Sequence, residues 1–338
     1  MKKLLAIFLV LVLVLAMVSV AGAEGVKKYR FLMPNATHEF MAGAVQGAQV
    51  NLEKGAADHP DVDWQLITSA DAELQNSQLD ELIAEEGMDT IVLWPHDGAP
   101  LRAGAQKVID AGINLVVFDR LIPDIDPVCE SDMDNFEYGA ASARFLNEFF
   151  ADRLEAGETI KILEFKGDLS TASTVRTDGF NATKHENIEI VQAWSTNWQR
   201  AASMDYMQSF LIDSPKDMVE SIDAVFTHDG ACTQGAYDAL QDYNGPASLA
   251  NLKAWAGMGS FEADVAITKD LMDNFGITHN LVFVSPAVTA WGVAIGYDVV
   301  SGNEVPKVVK IGYIHITLDN YQEYLDNPEK LVEQDVKY

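Results

Sequence analysis

The chain has 338 residues, nearly half of them apolar (48%), enough for two ordinary domains with sizeable cores. It carries 51 acidic against 23 basic residues. Without Lys2 and Lys3, which belong to the amino-terminal segment described next, the balance is 21 against 51, a net charge of −30. That balance excludes nucleic acid and anionic lipid surfaces as partners, because their phosphates attract basic surfaces.

Lys2 and Lys3 precede an unbroken apolar run from Leu4 to Val18, followed by Ala21-Gly22-Ala23. This is the pattern of a secretory signal peptide cut after Ala23 (residues 1–23), and the run is short for a bilayer span. No cysteine follows the cut, which argues against a lipid anchor. The mature protein is therefore expected in the periplasm as a soluble chain. From Tyr29 onward, β-rich runs alternate with amphipathic helical ones. The strands predicted in order are "YRFLMP", "DWQLIT", "DTIVLWP", "INLVVFD", "TIKILEF", "IEIVQAW", "IDAVFTH" and "NLVFVS". Helical spacing between them is clear at Leu79-Leu82-Ile83 and Ala105-Val108-Ile109. Strand–helix repetition with near-continuous apolar strands predicts parallel sheets covered on both faces. There are too many units for one open sheet, so the fold class is α/β with two doubly wound parallel-sheet domains. No Gly/Ser or Pro-rich linker separates them, and the acidic loop "IPDIDPVCESDMDN" is the expected first crossing. "GMGS" at 257–260 reads as a strand-to-helix turn, since it lacks the third glycine of a dinucleotide loop. Cys129 and Cys232 are expected as buried free thiols rather than a bridge.

No phosphate loop, H-E-x-x-H or G-x-S-x-G is present. His38, His96 and His228 each follow a predicted strand, but no carboxylate or cysteine spacing supports a metal site. No cofactor is expected. The chemistry-bearing residues instead collect at the carboxyl ends of strands, where parallel α/β sheets bind ligands. After the first strand come His38, Glu39 and Phe40. After the third come Trp94 and His96, and after the fourth Asp119 and Arg120. In the second half Arg176 opens a helix, Trp198 follows a strand, Asp229 follows "AVFTH", and Ser285 ends "NLVFVS". Carboxylates accept from hydroxyls, guanidiniums donate to hydroxyl and ring oxygens, and aromatic rings cover the C–H face of a sugar. A neutral polyol needs this mixture because its hydroxyls lose water on binding and must be paired again. Any one of these residues also has a purely structural reading: a helix N-cap, a local ion pair or a core tryptophan.

In these residues the chain resembles the periplasmic sugar-binding proteins of ABC transporters, the type I solute-binding family of the ribose and xylose kind. The resemblance runs from about Tyr29 to Asn320. "FDRLI" matches the family's strand-end Asp-Arg. "DNFEYG" matches its D-N-x-x-x-G, and "RTDGF" its R-x-x-G-F. "FTHDGACTQGA" matches the segment whose acid or amide holds hydroxyls, and Phe40 and Trp198 stand at its stacking aromatics. The chain departs from the family at Gly259, where an Asp is common, and at Ser285-Pro286, where a Gln or Lys is common. The resemblance implies a three-strand hinge. Residues 26–133 plus 287–316 would form the first domain and 134–286 plus 317–338 the second, with crossings near Met133, Pro286 and Thr317. It further implies a monosaccharide, an aldopentose or hexose, held in the interdomain cleft by hinge closure. A membrane ABC permease follows as partner, with room for a chemoreceptor as a second, and the protein is expected to be a monomer rather than an enzyme. Ligands left open are a non-sugar polyol, a nucleoside or a furanosyl signal such as autoinducer-2. A glycosidase using paired carboxylates stands as the rival from another class. A LacI-like regulator is set aside, because a signal-like segment stands where its DNA-binding helices would be.

Overall fold

A computed structural model describes residues 26–338; the expected signal peptide lies outside the described residues. The first sheet contains β1 (Lys27–Pro34), β2 (Val62–Ser69), β3 (Met88–Leu93), β4 (Asn114–Phe118), β5 (Cys129–Asp132) and β11 (Val308–Lys310), in the order β11-β5-β4-β3-β1-β2. Every pairing in it is parallel. The second contains β6 (Ile160–Lys166), β7 (Ile188–Ser195), β8 (Ala224–Thr227), β9 (Ala254–Gly259), β10 (Thr278–Phe283) and β12 (Ile314–Ile316), in the order β12-β10-β9-β8-β6-β7. Only β12 runs antiparallel, against β10.

Strand alternation builds the layers. In β1 and β4, Phe31, Met33, Val116 and Phe118 enter one core, while Leu32, Leu115 and Val117 enter the core on the opposite face. A strand buried on both faces has no position for a polar alternation, which is why these runs read as continuously apolar. Helices α1 (Glu39–Asp58), α2 (Ala72–Ala84) and α3 (Gly98–Asp110) are the crossovers of the first sheet. Asp71 and Asp97 cap α2 and α3 by accepting from Leu74 N and Gly98 N, both at 2.8 Å. Around the second sheet lie α4 (Asn135–Phe149), the short α5 (Ala151–Glu155), α6 (Thr171–Thr183), α7 (Arg200–Asp213), the short α8 (Lys216–Glu220), α9 (Gly230–Asp242) and α10 (Glu262–Phe275). Helix α11 (Thr289–Ser301) returns to cover β1, β3 and β4. The tail adds α12 (Tyr321–Asp326), which packs on α10, and α13 (Glu329–Val332).

In each sheet the strand order reverses beside its first strand, between β1 and β3 and between β6 and β8. These are the switch points where such sheets leave a crevice. The two crevices face each other because the chain changes sheets at 133–134, 284–286 and 311–313.

Three expectations change. Residues 314–316, assigned from sequence to the first domain, are β12 of the second sheet, so the last crossing precedes Thr317. Residues 257–259 are not a turn but the end of β9, a central strand; the turn starts at Ser260. Its Ala/Gly composition hides it, and the small residues have a reason. A Cβ on Gly257 would stand 2.6 Å from Thr227 Oγ1, and one on Gly259 2.7 Å from Asp264 Cβ. Strand β5 was read as loop because it is short and mostly polar ("CESD"), yet it pairs with both β4 and β11. Cys129, in β5, and Cys232, in α9, are buried free thiols.

Candidate functional site

A cavity lies between the two crevices, lined by residues of both lobes. The first lobe contributes His38, Phe40 and Met41 from the β1–α1 junction, Trp94 after β3, and Asp119 and Arg120 after β4. Met133 lines it at the first crossing. The second lobe contributes Ala172 and Arg176 of α6, Trp198, Asp229, Met258 of β9, Ser260 and Val284.

The turn after β4 presents its acid and base by a local fold. Asp119 adopts a left-handed φ of 63°, its N–H donates to Ser131 O at 2.8 Å, and Arg120 N donates back to Phe118 O at 2.9 Å. An Asp tolerates this conformation better than most residues. Arg120 is held by the carbonyls of Pro95 and His96, and its Nε lies 3.8 Å from Asp119 Oδ2.

Helix α4 then connects this turn to the other lobe. Asn135 Nδ2 donates to Asp119 Oδ1 at 3.3 Å, and Asn135 Oδ1 accepts from Arg176 Nε at 2.8 Å. Arg176 also donates to His228 O at 2.6 Å, and its guanidinium lies 5.2 Å from the Trp198 ring centroid. The chain Asp119–Asn135–Arg176 requires α4 and α6 to touch. They do so through two glycines: a Cβ on Gly139 would stand 1.9 Å from Arg176 O, and one on Gly179 2.0 Å from Phe136 O. Burial opposes charge on both partners, raising the Asp119 carboxyl and lowering the Arg176 guanidinium, against the attraction of the surrounding opposite charges.

Trp198 is aimed by a strained turn. Asn197 and Trp198 have φ of 54° and 61°, and Asn197 N donates to Gly167 O at 3.1 Å. The indole lies over Gly167, where a Cβ would come within 2.2 Å of the ring. His38 faces it from the other lobe, ring centroids 6.1 Å apart. Burial pushes His38 below the usual imidazole range, so it is neutral at pH 7. Asp229 accepts from Cys232 N at 2.8 Å with one carboxylate oxygen, capping α9. The structural reading of this acid is therefore correct, and its second oxygen is not needed for the cap. The indole N–H groups of Trp94 and Trp198, Arg120 Nε and His38 Nε2 have no protein partner although buried.

Two expected residues stand apart. Glu39 is exposed in the first turn of α1, because helical spacing brings His38 and Met41 to the cavity instead. Ser285 is buried but accepts from Ala287 N at 3.2 Å, capping a 3-10 turn at Pro286–Val288. Met41, Met133, Ala172, Met258 and Val284 were not singled out from sequence as site residues, since apolar residues carry no local signal of a site, and Ser260 was read only as part of a turn. Asn135 was readable only as part of "DNFEYG". Of the histidines, His96 Nε2 lies 2.8 Å from Ser69 O, and His228 is enclosed by Glu164 and Ser173 at 3.0 and 3.3 Å. Among the described residues no cluster suited to a metal ion occurs, nor is any helix long and apolar enough to cross a membrane.

The chain is similar to known proteins in sequence and in fold. A putative rhizopine-binding protein of Rhizobium meliloti is 29% identical over 219 residues, 59% of this chain and 66% of that one. A D-ribose/D-allose-binding protein of Pseudomonas aeruginosa is 27% identical over 189 residues, 54% of this chain and 58% of that one. The match thus spans less than two thirds of either relative. An ABC transporter solute-binding protein from Bacillus halodurans, solved with bound myo-inositol, superposes with a TM-score of 0.72 at 20% identity, covering 90% of this chain and 99% of that one. The profile of the periplasmic binding protein domain matches residues 29–304, and the chain belongs to that family.

Proposed function

We propose that this protein captures a neutral polyhydroxylated molecule, a monosaccharide or cyclic polyol, between its lobes and presents it to a membrane ABC permease. One observation carries the reading: acids and guanidiniums in balance, Asp119 and Asp229 against Arg120 and Arg176, converge with Trp94 and Trp198 on one cavity built by both lobes. The charges cancel, so a neutral ligand is favoured over an ion. Each hydroxyl bonded to such a charged group is worth about 1.5–3 kcal/mol, and the rings suit the apolar faces of a sugar. The similar D-ribose/D-allose-binding protein and the similar solute-binding protein with bound myo-inositol support the same ligand class. Export to the periplasm and action as a monomeric binding protein, without catalysis, complete the reading.

A thermal-shift screen of the chain from Glu24 onward, against pentoses, hexoses, polyols and nucleosides, tests it. A ligand at about 100 times its Kd adds about 2.7 kcal/mol of stability. A clear rise in Tm with one sugar or polyol is expected. A response to nucleosides alone would overturn the carbohydrate reading.

A further inference from the structure

The cavity lining comprises two unlike groups of side chains. Asp119, Arg120, Arg176, Asp229 and His38 make one. The other is made by Met41, Met133, Met258 and Val284, which belong with Trp94 to one continuous hydrophobic cluster and are each at most 5% exposed. Met133 and Val284 sit where the chain changes lobes, so this second group lies along the hinge. Ser285, next to Val284, turns its hydroxyl to Ala287 N, while Ser260, two residues beyond Met258, is a further hydroxyl of the cavity lining. Thioethers are weak acceptors and donate nothing, and valine offers neither. The Trp94 indole N–H, buried beside these residues and without a protein partner, is a donor, which suits an ether or ring oxygen. A hydroxyl pressed against such a wall would lose its water without a replacement for its proton. A methyl group would instead gain contact with polarisable, adaptable methionines.

We infer that the ligand is amphiphilic: a sugar or cyclic polyol carrying a deoxy-methyl or O-methyl substituent that seats against Met41, Met133, Met258 and Val284, with its hydroxyls toward Asp119, Arg120, Arg176 and Asp229. This rests on the proposed function and narrows it.

Calorimetric titration of matched pairs tests the inference: D-fucose against D-galactose, 5-deoxy-D-ribose against D-ribose, and an O-methyl inositol against myo-inositol. The methylated or deoxy member of at least one pair is expected to bind about fourfold tighter or more, the gain of one buried methyl group. Val284→Thr, nearly isosteric, should erase that preference while the polar group is untouched. Met133→Gln serves as a second variant should the first unfold. If the fully hydroxylated member binds as well or better in every pair, the two-faced ligand is wrong and carbohydrate capture stands. Silence of all six, with Tm rising for nucleosides only, would remove both.

Discussion

Asp119 and Arg176 do not touch each other; Asn135 joins them across the cleft. Replacing Asp119 or Arg176 by Ala removes a charged partner of the ligand, worth about 1.5–3 kcal/mol per bond, so at least a tenfold loss of affinity is expected by calorimetry, with native circular dichroism. Asn135→Leu should weaken binding as well, because it leaves both charged groups unpositioned; unchanged affinity there would dismiss the bridge. Away from the site, His279 is fully buried in β10, and burial lowers its pKa from 6.5 to about 3. Its neutral form is what the fold accepts, so the stability it permits is present above about pH 6.5 and lost as pH falls toward 3. The slope from one such proton is at most about 1.4 kcal/mol per pH unit. His279→Gln should flatten the pH dependence of the urea midpoint across that window. At this scale the sequence pointed to cavity-lining residues where charge stands at a strand end, as at Asp119, Arg120 and Asp229, while Arg176 lies within α6 and was readable only from "RTDGF". It pointed equally to Glu39, which is exposed and does not line the cavity although His38 and Phe40 on either side of it do. It was silent at Met41, Met133 and Met258, since a methionine lining a ligand and one filling a core look alike.

The elements owe their placement to small residues as much as to apolar ones. Gly139 and Gly179 let α4 and α6 meet backbone to backbone, and Gly167 leaves room beneath Trp198. Gly167→Ala is expected to push the indole away from Arg176 and His38. Affinity should then fall while Tm of the free protein changes little; normal binding by this variant would remove Trp198 from the site. Strands with continuous Ile, Val and Phe were legible, because burial on both faces demands that composition. Strand β9 was not, since its glycines are there to admit Thr227, Thr233 and Asp264 close to the sheet, and glycine reads as a turn. The two three-residue strands β11 and β12 fall below the length at which any period is readable.

For the whole molecule, alternation of strands and helices established two α/β units, and the missing linker pointed to ordered crossings. The last crossing was misplaced because β12 joins the second sheet by an antiparallel pairing that no local pattern announces. The lobes are held together across the cleft at more than the site itself. Thr171, which opens α6, donates from its hydroxyl and its N–H to Asp97 Oδ1, the cap of α3. Gln199 Nε2 reaches Thr37 O at 3.5 Å. These contacts across the cleft describe lobes brought together, which a hinge of three crossings can open. A ligand can shift such an equilibrium only by binding one form better than the other, and a site whose groups come from both lobes does this by construction. Small-angle X-ray scattering of the chain from Glu24, with and without the sugar or polyol identified by thermal shift, therefore tests interlobe capture most directly. The radius of gyration is expected to fall on saturation, and to stay unchanged when the same compound is added to Arg176→Ala. Saturation of the wild-type protein without any contraction would place the ligand on one lobe alone and contradict capture by closure.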